Sequence, residues 1–118
     1  MENPWTLAGP AVELTRPEYD WEKDGHSVNE GPSVLVHGET IHLTYSGAAT
    51  GIEYAMGLLT AHVDADLLDP SSWTKSPQPV FVSDPSVERF GPGHNSFTTT
   101  ADGQAVLVYH ARTYTHIE

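Results

Sequence analysis

The sequence contains no cysteine, which removes disulfide staples and thiolate metal sites and leaves the redox compartment unmarked. Basic residues are nearly as scarce. There are five, Arg16, Lys23, Lys75, Arg89 and Arg112, against sixteen acidic ones, for a formal charge of −11 with the seven histidines neutral. Scattered singly, they form no patch able to neutralise a run of phosphates, so a nucleic-acid partner is excluded. The same deficit disfavours an anionic membrane surface. No apolar run approaches the roughly 18 residues of a membrane span. Met1–Pro10 has neither the basic start nor the apolar stretch of a signal peptide, so the expectation is a soluble chain of unassigned compartment. There is no N-x-Ser/Thr sequon either, since Asn29 is followed by Glu30-Gly31 and Asn95 by Ser96-Phe97. What remains compatible with the charge is a neutral ligand or a cation.

Helix signals are missing too. Nine Pro and ten Gly are spread through 118 residues, so few eleven-residue windows escape a breaker, and regular apolar spacing has period two. Ser33–His37 and Thr40–Ser46 read as a hairpin across Gly38-Glu39, with Ile41, Leu43 and Tyr45 on one face and His42 and Thr44 on the other. Ile52–His62 reads as a longer strand, apolar on both faces. Pro79–Ser83 reads as a short fourth strand whose leading proline suits an edge. Asn95–Thr100 and Gln104–His110 form a second hairpin, with Asp102-Gly103 a type I′ turn signal. The acidic run Asp64–Pro70 is a connecting loop. It is not a calcium loop of the EF-hand kind, because Leu68, Asp69 and Lys75 occupy the places that need an oxygen ligand, Gly and Glu.

The chain also repeats itself. A shift of 64 lays Tyr45 on Tyr109, Leu43 on Leu107, Gly38-Glu39 on Asp102-Gly103 and Glu30 on His94. A shift of 68 lays Pro4-Trp5-Thr6 on Ser72-Trp73-Thr74. Each repeat reads as a four-stranded antiparallel blade, so the fold class is all-β, a partial β-propeller of about two blades. On this reading residues 1–25 end a preceding blade through a strand over Trp5–Leu14, residues 26–84 form one complete blade, and residues 85–118 begin the next. Open strand edges at Trp5–Leu14 and Arg112–Ile117 are templates for pairing, which leads to the expectation of a homo-oligomer.

Two polar segments precede first strands at matching places: His26–Pro32 (HSVNEGP) and Gly91–Phe97 (GPGHNSF). First strands of propeller blades line the central axis, which would point Glu30 and His94 at the channel mouth. A carboxylic acid beside a sugar ring is what a glycosidase needs as general acid. A histidine on the axis can hold a metal ion or a water through one ring nitrogen. The bland alternatives are an exposed turn for Glu30 and a structural hydrogen bond for His94. His37, His42, His62 and His116 read as solvent-facing, His110 as a core or rim group, and Trp5 and Trp73 as packing residues of outer strands.

Asn29-Glu30-Gly31-Pro32, Tyr45-Ser46, Gly57-Leu58-Leu59, Trp73, Gly91-Pro92-Gly93-His94-Asn95-Ser96-Phe97, Asp102-Gly103 and Tyr109-His110-Ala111 occur in the order and spacing of a known family. From about Trp5 to about Ile117 the chain resembles the C-terminal half of a glycoside hydrolase of family 43. Those are five-bladed β-propellers that include arabinofuranosidases, arabinanases and β-xylosidases. The resemblance implies an inverting hydrolase of arabinose- or xylose-containing polysaccharides, with a neutral oligosaccharide or polysaccharide as partner. It gives Glu30 the role of general acid and His94 that of the histidine holding a calcium ion or its water shell. Asn29, Tyr45 and Asn95 become candidates for binding substrate. The family's two catalytic aspartates belong to earlier blades, and Asp20, Asp24, Asp64, Asp66, Asp69, Asp84 and Asp102 stand in other contexts. Alone, the chain is therefore expected to be a weak or inactive catalyst, with a non-catalytic assembly or carbohydrate-binding module that oligomerises through its open blade edges as the alternative.

Overall fold

A computed structural model describes residues 3–116. Four strands, β1 (Asn29–His37), β2 (Thr40–Gly47), β3 (Ala55–His62) and β4 (Thr74–Lys75), form an antiparallel sheet in sequence order. A second sheet pairs β5 (Phe90–Thr99) with β6 (Ala105–Arg112). The fold is thus all-β, a partial propeller in which the first strands of the two sheets, β1 and β5, lie against each other.

The core sits on β2 and β3, β2 contributing one apolar face and β3 being apolar on both. Ile41, Tyr45, Met56, Leu59 and Ala61 are buried there, each large side chain worth about 1.5–3 kcal/mol on burial. Tyr45 closes down on Gly57, where a Cβ would stand 2.2 Å from the Tyr45 ring. One polar cluster lies among these apolar groups. Glu22, in a short 3-10 turn over Asp20–Lys23, is completely buried. Its carboxylate accepts from the backbone N–H groups of Glu18 and Tyr19 (2.8 Å each), from the Tyr45 hydroxyl (2.8 Å) and from Lys75 Nζ (2.8 Å). Burial pushes the Glu22 pKa upward, but Lys75, the two N–H groups and Tyr45 outweigh it and hold the acid below its usual range. Burial and Glu22 together push the Tyr45 phenol above its usual value.

Four strand expectations need correction. Pro79–Ser83 is not a strand: the outer pairing falls at Thr74–Lys75, and only a single bridge joins Phe81 to Met56. Pro77 and Pro79 explain this, since neither can donate to a ladder and together they interrupt the edge. The third strand begins at Ala55, Ile52 and Glu53 being spent on the turn that brings Tyr54 inward. Trp5–Leu14 carries no ladder among the described residues beyond a bridge between Asn3 and Thr6, and Trp5 is 84 % exposed rather than packed. Finally, the turn at Asp102-Gly103 is not type I′, which needs positive φ at both central residues. Only Gly103 has one (φ 85°), Thr100 O accepts from Gly103 N, and Thr100 N donates to Gln104 O, the pattern of a three-residue connection.

That connection holds one residue more than the Gly38-Glu39 turn, and the extra residue moves the repeat. Second strands superpose with a shift of 64 (Ser46 on His110, 110 − 46), whereas first strands superpose with 63 (Glu30 on Gly93, 93 − 30). Glu30 therefore corresponds to Gly93, and His94 to Gly31. The Ile117 end of the expected second edge lies outside the described residues.

Candidate functional site

Both first strands are bulged at the same point. In β1 the pairing jumps from Glu30↔Ser46 to Ser33↔Thr44, and in β5 from Gly93↔His110 to Ser96↔Val108. Each bulge holds a residue with positive φ, Gly31 at 57° and His94 at 48°. For Gly31 this conformation is free of steric cost, but for histidine it is strained by about 1–3 kcal/mol. Two neighbours hold it there. The His94 N–H donates to the Ser46 hydroxyl at 2.7 Å, and its ring lies over Gly31, where a Cβ would stand 3.0 Å from the imidazole. A bulge re-aims side chains, and these two bring Glu30 and His94 together despite their unequal places in the repeat. Glu30 Oε1 is 3.8 Å from His94 Nδ1, with both side chains partly open to solvent.

Tyr54 joins them from below. It is fully buried, its hydroxyl donates to Glu30 Oε1 at 2.8 Å, and the hydroxyl oxygen lies 3.5 Å from His94 Nδ1. Burial, opposed by a hydrogen bond with Ser46 and reinforced by Glu30, pushes its pKa up to about 12. His110 stacks on Tyr54 (5.5 Å between centroids, 12° between planes) and more loosely on His94 (6.3 Å). Glu30 also borders two clefts. One of about 320 Å³ is lined by Val12, Leu14, Asn29, Leu43 and Tyr45, and one of about 230 Å³ by His26, Val28, Ala48, Ala49 and Thr50. The carboxyl thus has room on two sides.

The other candidates are placed differently. Asn29 reaches from β1 to Thr15 Oγ1 (3.1 Å) and ties down the segment that walls the larger cleft. Tyr45 borders the same cleft but is buried, with its hydroxyl committed to Glu22. The Asn95 amide is buried, its oxygen accepting from the Thr44 hydroxyl (2.9 Å). Sequence reasoning missed Tyr54, Ser46 and the stacking role of His110. Tyr54 looks like any aromatic before an apolar strand, and only the fold brings it 24 positions back to Glu30.

Calcium takes six to eight oxygen ligands. Around His94 stand one carboxylate, one phenol and ring nitrogens, and no three His, Asp or Glu side chains converge among the described residues. These groups alone do not fit the ion, so no chemistry is assigned to it.

The family model described as glycosyl hydrolases family 43 matches residues 1–117. Alpha-L-arabinofuranosidase 43 of Humicola insolens is 52 % identical over 99 % of this chain and 24 % of its own length. An extracellular exo-alpha-(1->5)-L-arabinofuranosidase of Streptomyces chartreusis is also 52 % identical, over 99 % of this chain and 36 % of its own. Among solved structures, an alpha-L-arabinofuranosidase from Lactobacillus brevis superposes with a TM-score of 0.96 at 57 % identity, covering all of this chain and 37 % of that one. The chain thus spans about a quarter to a third of the relatives it matches. No helix among the described residues is long and apolar enough to cross a membrane.

Proposed function

Since the chain belongs to glycosyl hydrolases family 43, we propose that it supplies the proton-donating part of an inverting α-L-arabinofuranosidase site, with Glu30 as general acid. The observation that carries this reading is the Glu30 carboxyl itself. It is half-open, borders two clefts, and is fixed through one oxygen by the buried Tyr54 hydroxyl. In the reaction, Glu30 protonates the glycosidic oxygen as the bond to the anomeric carbon breaks, and that bond's electrons leave with the departing alcohol. A water oxygen bonds to the anomeric carbon and gives its proton to a carboxylate base. In an inverting site the base stands about 6.5–9.5 Å from the acid, and we assign that role to no carboxylate of this chain. The arabinofuranoside substrate is inferred from what the relatives are named for, and the −11 charge suits a neutral polysaccharide.

Without its base the chain retains slow hydrolysis, about 10²–10⁴-fold below a complete site. The test is release of arabinose from α-1,5-arabinobiose at high protein concentration, with wild type beside Glu30→Gln. Slow activity that disappears in the variant is expected. Activity that survives it, or none in either protein, overturns the reading.

Self-association is a second component of the proposal. Among the described residues β6 pairs on one side only and carries the exposed Val108 and Tyr109. Light scattering is expected to give a mass of two or more chains, and a monodisperse monomer overturns it.

A further inference from the structure

We infer that Tyr54 is a positioning residue for Glu30, deciding which of its two carboxyl oxygens carries the transferable proton; the inference rests on the reading of Glu30 as general acid. A phenol can act this way only if its ring cannot turn aside, and here two paired residues of β5 and β6 hold it. Gly93 approaches so closely that a Cβ would stand 2.4 Å from Tyr54 Cε1 and 2.9 Å from Ser46 Oγ. Its strand partner His110 lays its imidazole nearly parallel to the ring. Gly93 is the residue that the corrected repeat lays on Glu30. One blade thus supplies the acid, and the equivalent place in the next supplies the gap that admits the tyrosine.

A ring held in this way has one place for its hydroxyl. Besides the Ser46 hydroxyl, which donates to the phenol oxygen, two acceptors are within reach, and distance separates them. Glu30 Oε1 at 2.8 Å is an ordinary hydrogen bond, whereas His94 Nδ1 at 3.5 Å is at the limit of one. The single phenolic proton therefore goes to Glu30. With Oε1 occupied as an acceptor, the carboxylic proton resides on Oε2, the oxygen left for the leaving group. After that proton has gone to the glycosidic oxygen, the same donor stays on Oε1 and stabilises the carboxylate, so no group has to move during the step. Tyr54 keeps its own proton throughout, its pKa of about 12 lying far above any working pH.

The alternative is that Tyr54 is merely a core aromatic. Tyr54→Phe separates the two, because it keeps the ring, its stack on His110 and its contact with Gly93. In the full chain, arabinobiose demands full protonation of its leaving group, and a 2,4-dinitrophenyl arabinofuranoside demands almost none. We expect the variant's loss in kcat to be about tenfold or more larger for arabinobiose, with KM changed less than about twofold. Equal losses on both substrates mark a structural role and overturn the inference.

A readout independent of turnover accompanies this. The Cζ resonance of Tyr54, followed through its alkaline titration, should show a lower midpoint in Glu30→Gln than in wild type, since Glu30 is one of the groups raising it. An unchanged midpoint means that the hydrogen bond does not exist, and the inference fails whatever the activity. A lowered midpoint in a chain without any hydrolysis upholds the contact and refutes the general acid instead.

Discussion

Glu22 gives the sharpest quantitative prediction. Its carboxylate has no exposed surface and four donors on it: two backbone N–H groups, the Tyr45 hydroxyl and the Lys75 ammonium, itself only 11 % exposed. Glu22→Gln keeps the shape but turns an NH₂ toward donors on one side or the other. It also leaves Lys75 with the half-exposed Glu18 carboxylate, at 3.1 Å, and the Arg16 carbonyl, at 2.9 Å. Breaking one partner out of a buried pair costs about 3–5 kcal/mol, and the lower end applies because Glu18 takes up part of the charge. At about 2.1 cal/mol/K of unfolding entropy per residue, a loss of about 3 kcal/mol over this length lowers Tm by roughly 12 °C. The acid is held below its ordinary pKa, so the unfolded state binds the extra proton as pH falls. The Glu22 contribution is thus complete above the unfolded carboxyl pKa, about 4.3, and lost as pH drops through the lower folded value. Thermal and urea unfolding at pH 7 and pH 3, with Lys75→Met and the double variant completing a cycle, measure this. The gap between wild type and Glu22→Gln should shrink in acid, and the double variant should lose less than the sum of the singles. A Tm loss below about 4 °C, equivalent to about 1 kcal/mol, refutes the account of the network.

Two further predictions concern the bulges and are read by thermal melting and arabinobiose turnover. His94→Gly removes the strain of a histidine at φ 48° but adds glycine's unfolded-state entropy, two terms of about 1 kcal/mol that nearly cancel. Its Tm should stay within about 4 °C of wild type while hydrolysis falls, and a drop beyond twice that contradicts the strain. Gly93→Ala places a methyl group inside the Tyr54 ring and should cost about 2–3 kcal/mol along with the activity, an effect that Gly103→Ala, open to solvent on all sides, should not match by overpacking.

Much of the fold was legible because period-two spacing and turn residues are local signals. Ile41, Leu43 and Tyr45 announced a half-buried strand, and Ile52–His62, apolar on both faces, announced the longer one that begins at Ala55. What failed depended on partners that a local pattern does not carry. Trp5–Leu14 has strand-like composition but joins no ladder among the described residues, and the edge beside β3 is broken by Pro77 and Pro79. The repeat located Glu30 and His94 correctly as residues of one neighbourhood, yet equated them wrongly, because one added turn residue slides the first strand of the second hairpin. The site could be read only in part for the same reason. Glu30 and His94 stand in conspicuous polar motifs, while Tyr54, Ser46 and Gly93 are ordinary residues whose function arises where separate strands meet.

The central claim is that Glu30 donates the proton. Its most direct measurement is the rate of arabinose release from α-1,5-arabinobiose by Glu30→Gln relative to wild type, both verified as folded by identical melting. The glutamine keeps the hydrogen bond from Tyr54 and has no acidic proton to give. We expect the rate to fall by at least about 10²-fold with KM little changed. A folded Glu30→Gln protein that releases arabinose at the wild-type rate contradicts the account.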